Sequence, residues 1–135
     1  MSTIKNLEGG CQCGFVRYRL SGDPLRLNVC HCKDCQKQSG SAFGMSLIVR
    51  PDSLELTSGE VSTFEMQADS GRTKICAFCP KCGVRIYNAT SALCSVKAGT
   101  LDDTTGLKPD AHYWISRKQI WTPLPDDLPC FETHE

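Results

Sequence analysis

Seven of the ten cysteines in this chain fall into three tight groups: Cys11-Gln12-Cys13, Cys30-His31-Cys32-Lys33-Asp34-Cys35 and Cys79-Pro80-Lys81-Cys82. No other feature restricts the fold as strongly, because thiols held this closely either pair as disulfides or share a metal ion. Disulfide scaffolds are usually secreted chains of fewer than about 100 residues that carry a signal peptide. This chain has 135 residues, and its opening MSTIKNLEGG contains no apolar h-region. The expectation is a cytoplasmic protein whose reduced thiols serve as metal ligands.

No stretch approaches the roughly 20 apolar residues that span a bilayer, so no membrane segment is expected. Fifteen basic and fifteen acidic side chains cancel. That balance argues against a nucleic-acid partner, which calls for clustered Lys and Arg. The length fits a single zinc-binding domain over residues 1–135, with a core at about 8–122 and an irregular, proline-rich C-terminal tail at 123–135.

Helix signals are scarce. Only Lys33 to Gly40 reads as a short turn of helix, and no longer window keeps a 3.6-residue period. Short runs with β-branched or aromatic residues are common instead, at Phe15–Leu20, Phe43–Val49, Ser53–Thr57, Ser62–Met66, Thr73–Phe78, Val84–Asn88, Cys94–Ala98 and Tyr113–Arg117. Turn signals such as Ser58-Gly59 and Ser70-Gly71 separate them. The pattern predicts an all-β, antiparallel sandwich or barrel-like fold. The absence of a βαβ rhythm argues against thioredoxin-like and Rossmann folds.

Zinc takes about four tetrahedral ligands, so seven clustered cysteines make one closed site and one that is a ligand short. Cys79-Pro80-Lys81-Cys82-Gly83 has the form of a zinc knuckle, with a glycine free to turn at positive φ, and Cys13-Gly14 is similar. This pairs Cys11 and Cys13 with Cys79 and Cys82 as a structural zinc site. It leaves Cys30, Cys32 and Cys35 as a second, catalytic zinc site with an open position. A soft metal with a vacant place favours a thiol, which would ionise on binding. The competing reading completes that shell with Cys76, Cys94, Cys130 or His31 and makes both zincs structural, in a non-catalytic scaffold or protein-interaction module. His31 lies between two ligands, which favours a supporting hydrogen bond over ligation.

Taken together, Gly10-Cys11-Gln12-Cys13-Gly14, the run Cys30 to Phe43 and Phe78-Cys79-Pro80-Lys81-Cys82-Gly83 resemble the glutathione-dependent formaldehyde-activating enzyme family, whose domain also occurs in centromere protein V. The resemblance extends to His112-Tyr113-Trp114-Ile115, Trp121 and Asp127-Leu128-Pro129. It implies a zinc-stabilised β fold similar to the mammalian suppressor of Sec4. By motif match it implies structural zinc at Cys11, Cys13, Cys79 and Cys82, and catalytic zinc at Cys30, Cys32 and Cys35. The implied activity is that of a carbon-sulfur lyase run in reverse: glutathione, the co-substrate, adds to formaldehyde and gives S-hydroxymethylglutathione. Lys33, Lys37, Arg72 and Arg85 are candidates for holding the carboxylates of the tripeptide, and Ser39 and Ser41 for hydrogen bonds near the metal. No residue stands out as a general acid or base.

Overall fold

The computed structural model describes residues 7–67 and 71–134. Among these residues, ten strands form two sheets. The smaller joins β1 (Leu7–Gly10), β2 (Arg17–Leu20) and β5 (Leu54–Ser58), with β2 in the middle. The larger contains β3 (Arg26–Cys30), β4 (Gly44–Val49), β6 (Ser62–Gln67), β7 (Thr73–Phe78), β8 (Arg85–Ala89), β9 (Cys94–Lys97) and β10 (Ala111–Tyr113), in the order β10-β3-β4-β9-β8-β7-β6. The single α-helix among the described residues is α1 (Lys33–Ser39), between β3 and β4. Among the described residues no helix is long and apolar enough to cross a membrane.

Period-two alternation builds the core. In β2, Tyr18 and Leu20 are buried while Arg17 and Arg19 flank them. In β3, Leu27 and Val29 are buried while Arg26, Asn28 and Cys30 take the opposite face. Leu47 of β4 stands opposite both Leu27 and Val96 of β9, so the inner faces of three adjacent strands form one apolar layer. Tyr18 and Leu20 of the smaller sheet, with Val16 just before β2, belong to the same cluster, as do Cys11 and Cys79. The Tyr18 hydroxyl shares a 2.6 Å hydrogen bond with Thr100 Oγ1, which satisfies its only polar atom inside the core. At Gly9, an added Cβ would lie 2.5 Å from Thr100 O and from the Tyr18 hydroxyl, so β1 reaches this position only as glycine.

Most pairs are antiparallel, as expected, but β10 runs parallel to β3, with Tyr113 opposite Cys30. A parallel neighbour needs a long connection, and the chain between β9 and β10 supplies one. The expected strand at Tyr113–Arg117 ends at Tyr113: Trp114 takes a left-handed conformation (φ 57°, ψ 41°), and residues 115–117 form a 3-10 turn. Strands β1 and β3 lie where no strand was expected. The C-terminal segment is irregular, yet it hydrogen-bonds to β10 through His112 N to Pro129 O (3.0 Å) and Phe131 N to His112 O (2.9 Å).

Candidate metal centres and the cavity beside the second

Two turns of the same construction converge at the first cluster. In one, Cys11 N donates to Val16 O (3.1 Å) and Val16 N donates to Cys11 Sγ (3.3 Å). In the other, Cys79 N donates to Val84 O (2.9 Å), while Lys81 N and Cys82 N donate to Cys79 Sγ at 3.3 and 3.4 Å. Gly14 (φ 85°) and Gly83 (φ 82°) take the left-handed turn that each arrangement needs. The Sγ atoms of Cys11, Cys13, Cys79 and Cys82 all lie within 4.8 Å of one another, with Cys11 to Cys13 at 3.6 Å and Cys13 to Cys79 at 3.8 Å. A tetrahedral zinc with sulfur at about 2.3 Å sets its ligands about 3.8 Å apart, so four soft donors already stand at the spacing the ion requires. Burial opposes ionisation of Cys11, but the Val16 amide and hydrogen bonds from the neighbouring thiols outweigh it and bring the thiol down to about 6.

The second cluster is built on one strand-to-helix turn. Cys30 ends β3, and Cys32, extended at φ −65° and ψ 159°, caps α1 by accepting from Cys35 N at 3.4 Å. A thiolate here does what Ser or Asp commonly does at an N-cap. Gly40 closes the helix at φ 62°. Gly44, opposite Cys30 in β4, leaves room for the helix: a Cβ there would lie 3.2 Å from Cys35 Cβ. The three Sγ atoms lie within 4.8 Å of one another, and among the described residues no fourth Cys, His, Asp or Glu completes the group. Hydrogen bonds from Cys30 and Cys35 hold Cys32 as a thiolate, with its pKa brought down to about 2. The contact with Cys32 pushes Cys30 up to about 11, and those with Cys30 and Cys32 push Cys35 further up. Without a cation the cluster thus keeps one charge and two protons, since three thiolates this close repel.

His134 lines the same hollow as the three cysteines, and the other sulfur and imidazole groups lie outside both clusters. Cys76 and Cys94 are buried in β7 and β9, and Cys130 bridges to His112 in the C-terminal segment. His31 is fully buried, with Nε2 2.9 Å from His112 Nδ1 and its ring against Phe43 and His112. Its main chain is fixed as well: N donates to Tyr113 O (3.0 Å) and O accepts from Gln36 Nε2 (2.7 Å). This braces the turn that carries the three thiols.

Those thiols open into a cavity of about 780 Å³. Its floor is the outer face of the larger sheet, where Arg26 and Asn28 of β3 meet Ser46 of β4 and Ser95 of β9. In a chain with no net charge, Arg26, Lys33, Arg72, Lys74 and Arg117 line this one hollow against a single carboxylate among the described residues, Asp34. Such a cluster focuses a positive field in a confined space. Asn28 Oδ1 is buried there with no hydrogen-bond partner among the described residues, an acceptor suited to an amide of a ligand.

The family model described as "Glutathione-dependent formaldehyde-activating enzyme" matches residues 6–117, which include every cysteine of both clusters. The chain belongs to this family. A protein of Halomonas elongata with a provisional name of the same wording is 32% identical over 80 residues, 54% of this chain and 51% of that one. The match thus spans about half the length of that relative. A crystal structure of a Rhodobacter sphaeroides protein superposes with a TM-score of 0.56 at 19% identity, over 76% of this chain and 91% of that one, a likeness of fold.

Within this formaldehyde-activating enzyme fold, the expected polar candidates divide. Lys33 and Arg72 line the cavity. Lys37 and Ser41 border a separate shallow hollow beside Trp121. Arg85 donates to Asn88 Oδ1 (2.6 Å) and lies over the Phe64 ring, while the Ser39 hydroxyl donates to Phe43 O (2.8 Å). Sequence reasoning missed Arg26, Lys74, Trp114, Arg117 and His134 on the cavity wall. Only β3 offered a signal, the alternation of Arg26, Leu27, Asn28, Val29 and Cys30.

Proposed function

We propose that the chain holds two zinc ions, one structural at Cys11, Cys13, Cys79 and Cys82 and one catalytic at Cys30, Cys32 and Cys35, and adds glutathione to formaldehyde in the cavity beside the second. The observation that carries this reading is the three-thiol cluster with no fourth donor among the described residues, opening into a cation-lined hollow. Zinc held by three thiolates supplies Lewis acidity and room for one outside donor, and so lowers the pKa of an incoming thiol.

The protein's own groups do the rest. Lys33, Arg72 and their cationic neighbours attract and orient the two carboxylates of the tripeptide, and Asn28 Oδ1 accepts from one of its amides. Holding thiol and aldehyde in one cavity replaces a bimolecular encounter with a positioned one. The reaction balances within its reactants: the sulfur lone pair forms the S–C bond, the C=O π pair moves to oxygen, and the thiol proton ends on that oxygen. In reverse the same steps break a carbon-sulfur bond, the lyase direction.

The test is calorimetric titration of zinc-loaded protein with glutathione, together with exchange NMR on glutathione and ¹³C-formaldehyde. Binding at one site and faster exchange, both abolished in Cys35→Ser while the four-cysteine site stays loaded, is the expected result. Unchanged binding and exchange in that variant overturns the proposal and leaves a scaffold with two structural metals.

A further inference from the structure

The family match ends at residue 117, yet one residue beyond it, His134, lines the cavity that holds the three cysteines. The C-terminal segment returns alongside β10 and the turn after it. Trp114 N donates to Thr133 O (3.0 Å), Ile115 N to Phe131 O (3.1 Å), and the Ser116 hydroxyl to Glu132 O (2.6 Å). Phe131 stacks on Tyr113 with ring centres 5.2 Å apart, and His134 meets the edge of Trp114 at 5.3 Å. Trp114 is the one non-glycine residue with positive φ among those described. That conformation is disfavoured for any side chain and persists only where its surroundings impose it, commonly at functional sites. Here it ends β10 at the level of Cys30, and Trp114, Arg117 and His134 line the cavity beside the cluster.

Lys33 stands on the cluster's own turn beside Cys32, and the remaining cations lie further off. Arg26 is four residues back from Cys30 along β3, roughly 13 Å, and Lys74 lies on β7, four strands from β3, roughly 19 Å. The cavity thus has a near cationic end, made by Arg117 on the C-terminal side and Lys33 of α1, and a far one across the sheet. A peptide thiol with its sulfur at the cysteines sends two arms of unequal length toward these ends. In glutathione the cysteinyl-glycine arm is the shorter and the γ-glutamyl arm the longer.

Building on the glutathione reading above, we infer that the C-terminal segment is the specificity wall of the site: His134 and Arg117, braced by Trp114, hold the carboxylate on the shorter arm of a peptide thiol. The near wall then selects thiols bearing a C-terminal carboxylate one residue from the cysteine, and the far cations take the other end. One charge-assisted contact is worth about tenfold in affinity.

The test measures binding of glutathione and of its glycyl monoethyl ester to zinc-loaded parent, His134→Ala and Arg117→Ala, with the melting temperature of each variant as a check on the fold. The expected result is a loss of about tenfold for glutathione in each variant, with the ester bound equally weakly by all three proteins. Equal losses for glutathione and ester make the segment merely structural and overturn the inference, as does glutathione binding that neither variant changes. Failure of the parent to bind glutathione at all overturns both this inference and the reading beneath it.

Discussion

Replacing Cys79 by Ser tests how the two halves of the fold are fastened. Cys79 is fully buried, and its Sγ lies 3.8 Å from that of Cys13, 66 residues away in sequence. Closing a loop of that length costs about 4 kcal/mol by the logarithmic law. Structural zinc contributes about 10 to 16 kcal/mol, against a total stability of about 5 to 15 kcal/mol for an ordinary domain. If the substitution did no more than leave the loop closure uncompensated, about 4 kcal/mol would lower the melting temperature by roughly 12 to 20 °C at about 3 to 5 °C per kcal/mol. Complete loss of the ion leaves no stable fold. Cys35→Ser is the control, because Cys30, Cys32 and Cys35 share one strand-to-helix turn and their metal closes no long loop. Circular dichroism melts with metal analysis on both variants separate the two roles. The reasoning is refuted if Cys79→Ser melts within about 3 °C of the parent, or if Cys35→Ser loses as much.

Three further outcomes follow from the same geometry. With the four-cysteine site already filled, zinc loading at pH 7 should release two protons, those of Cys30 and Cys35, whose pKa values lie above the ordinary thiol value while Cys32 is already ionised; titration in buffers of different ionisation enthalpy counts them. Burial raises Cys94 from 9.0 to about 11, so its contribution is complete below pH 9 and lost as the pH climbs through 11. About 3 kcal/mol should go with it, and urea melts of Cys94→Ala should show a flatter alkaline limb than the parent. Gly44→Val drives a side chain into Cys35 Cβ, which lies only 3.2 Å from the nearest added atom; competition with a chelator should show weaker zinc at the three-cysteine cluster and unchanged zinc at the other.

Much of this site was legible because metal ligation is local. Cysteine spacing and the glycines after Cys13 and Cys82 announce the two turns, and the window Lys33 to Gly40 marks a helix that ends with Gly40 as its cap. Strand β7 spans the residues its β-branched run predicts. What failed to show depends on distant partners. Strand β1, Leu-Glu-Gly-Gly, reads as a turn, although Gly9 is there for the close approach of Thr100 and Tyr18. Tyr, Trp and Ile at 113–115 have high β propensity, yet the left-handed Trp114 stops the strand where the C-terminal segment docks. The cavity wall draws its cations from four separate places in the chain, brought to one face by the fold, and no local pattern announces that.

The claim beneath the whole account is that the ion at Cys30, Cys32 and Cys35 has room for a thiol from outside. X-ray absorption at the zinc edge, on the two-zinc protein saturated with the selenium analogue of glutathione, tests it most directly. The account predicts a selenium neighbour for one of the two ions, lost in Cys35→Ser. A spectrum with only protein-supplied neighbours around both ions, unchanged by the analogue, contradicts it.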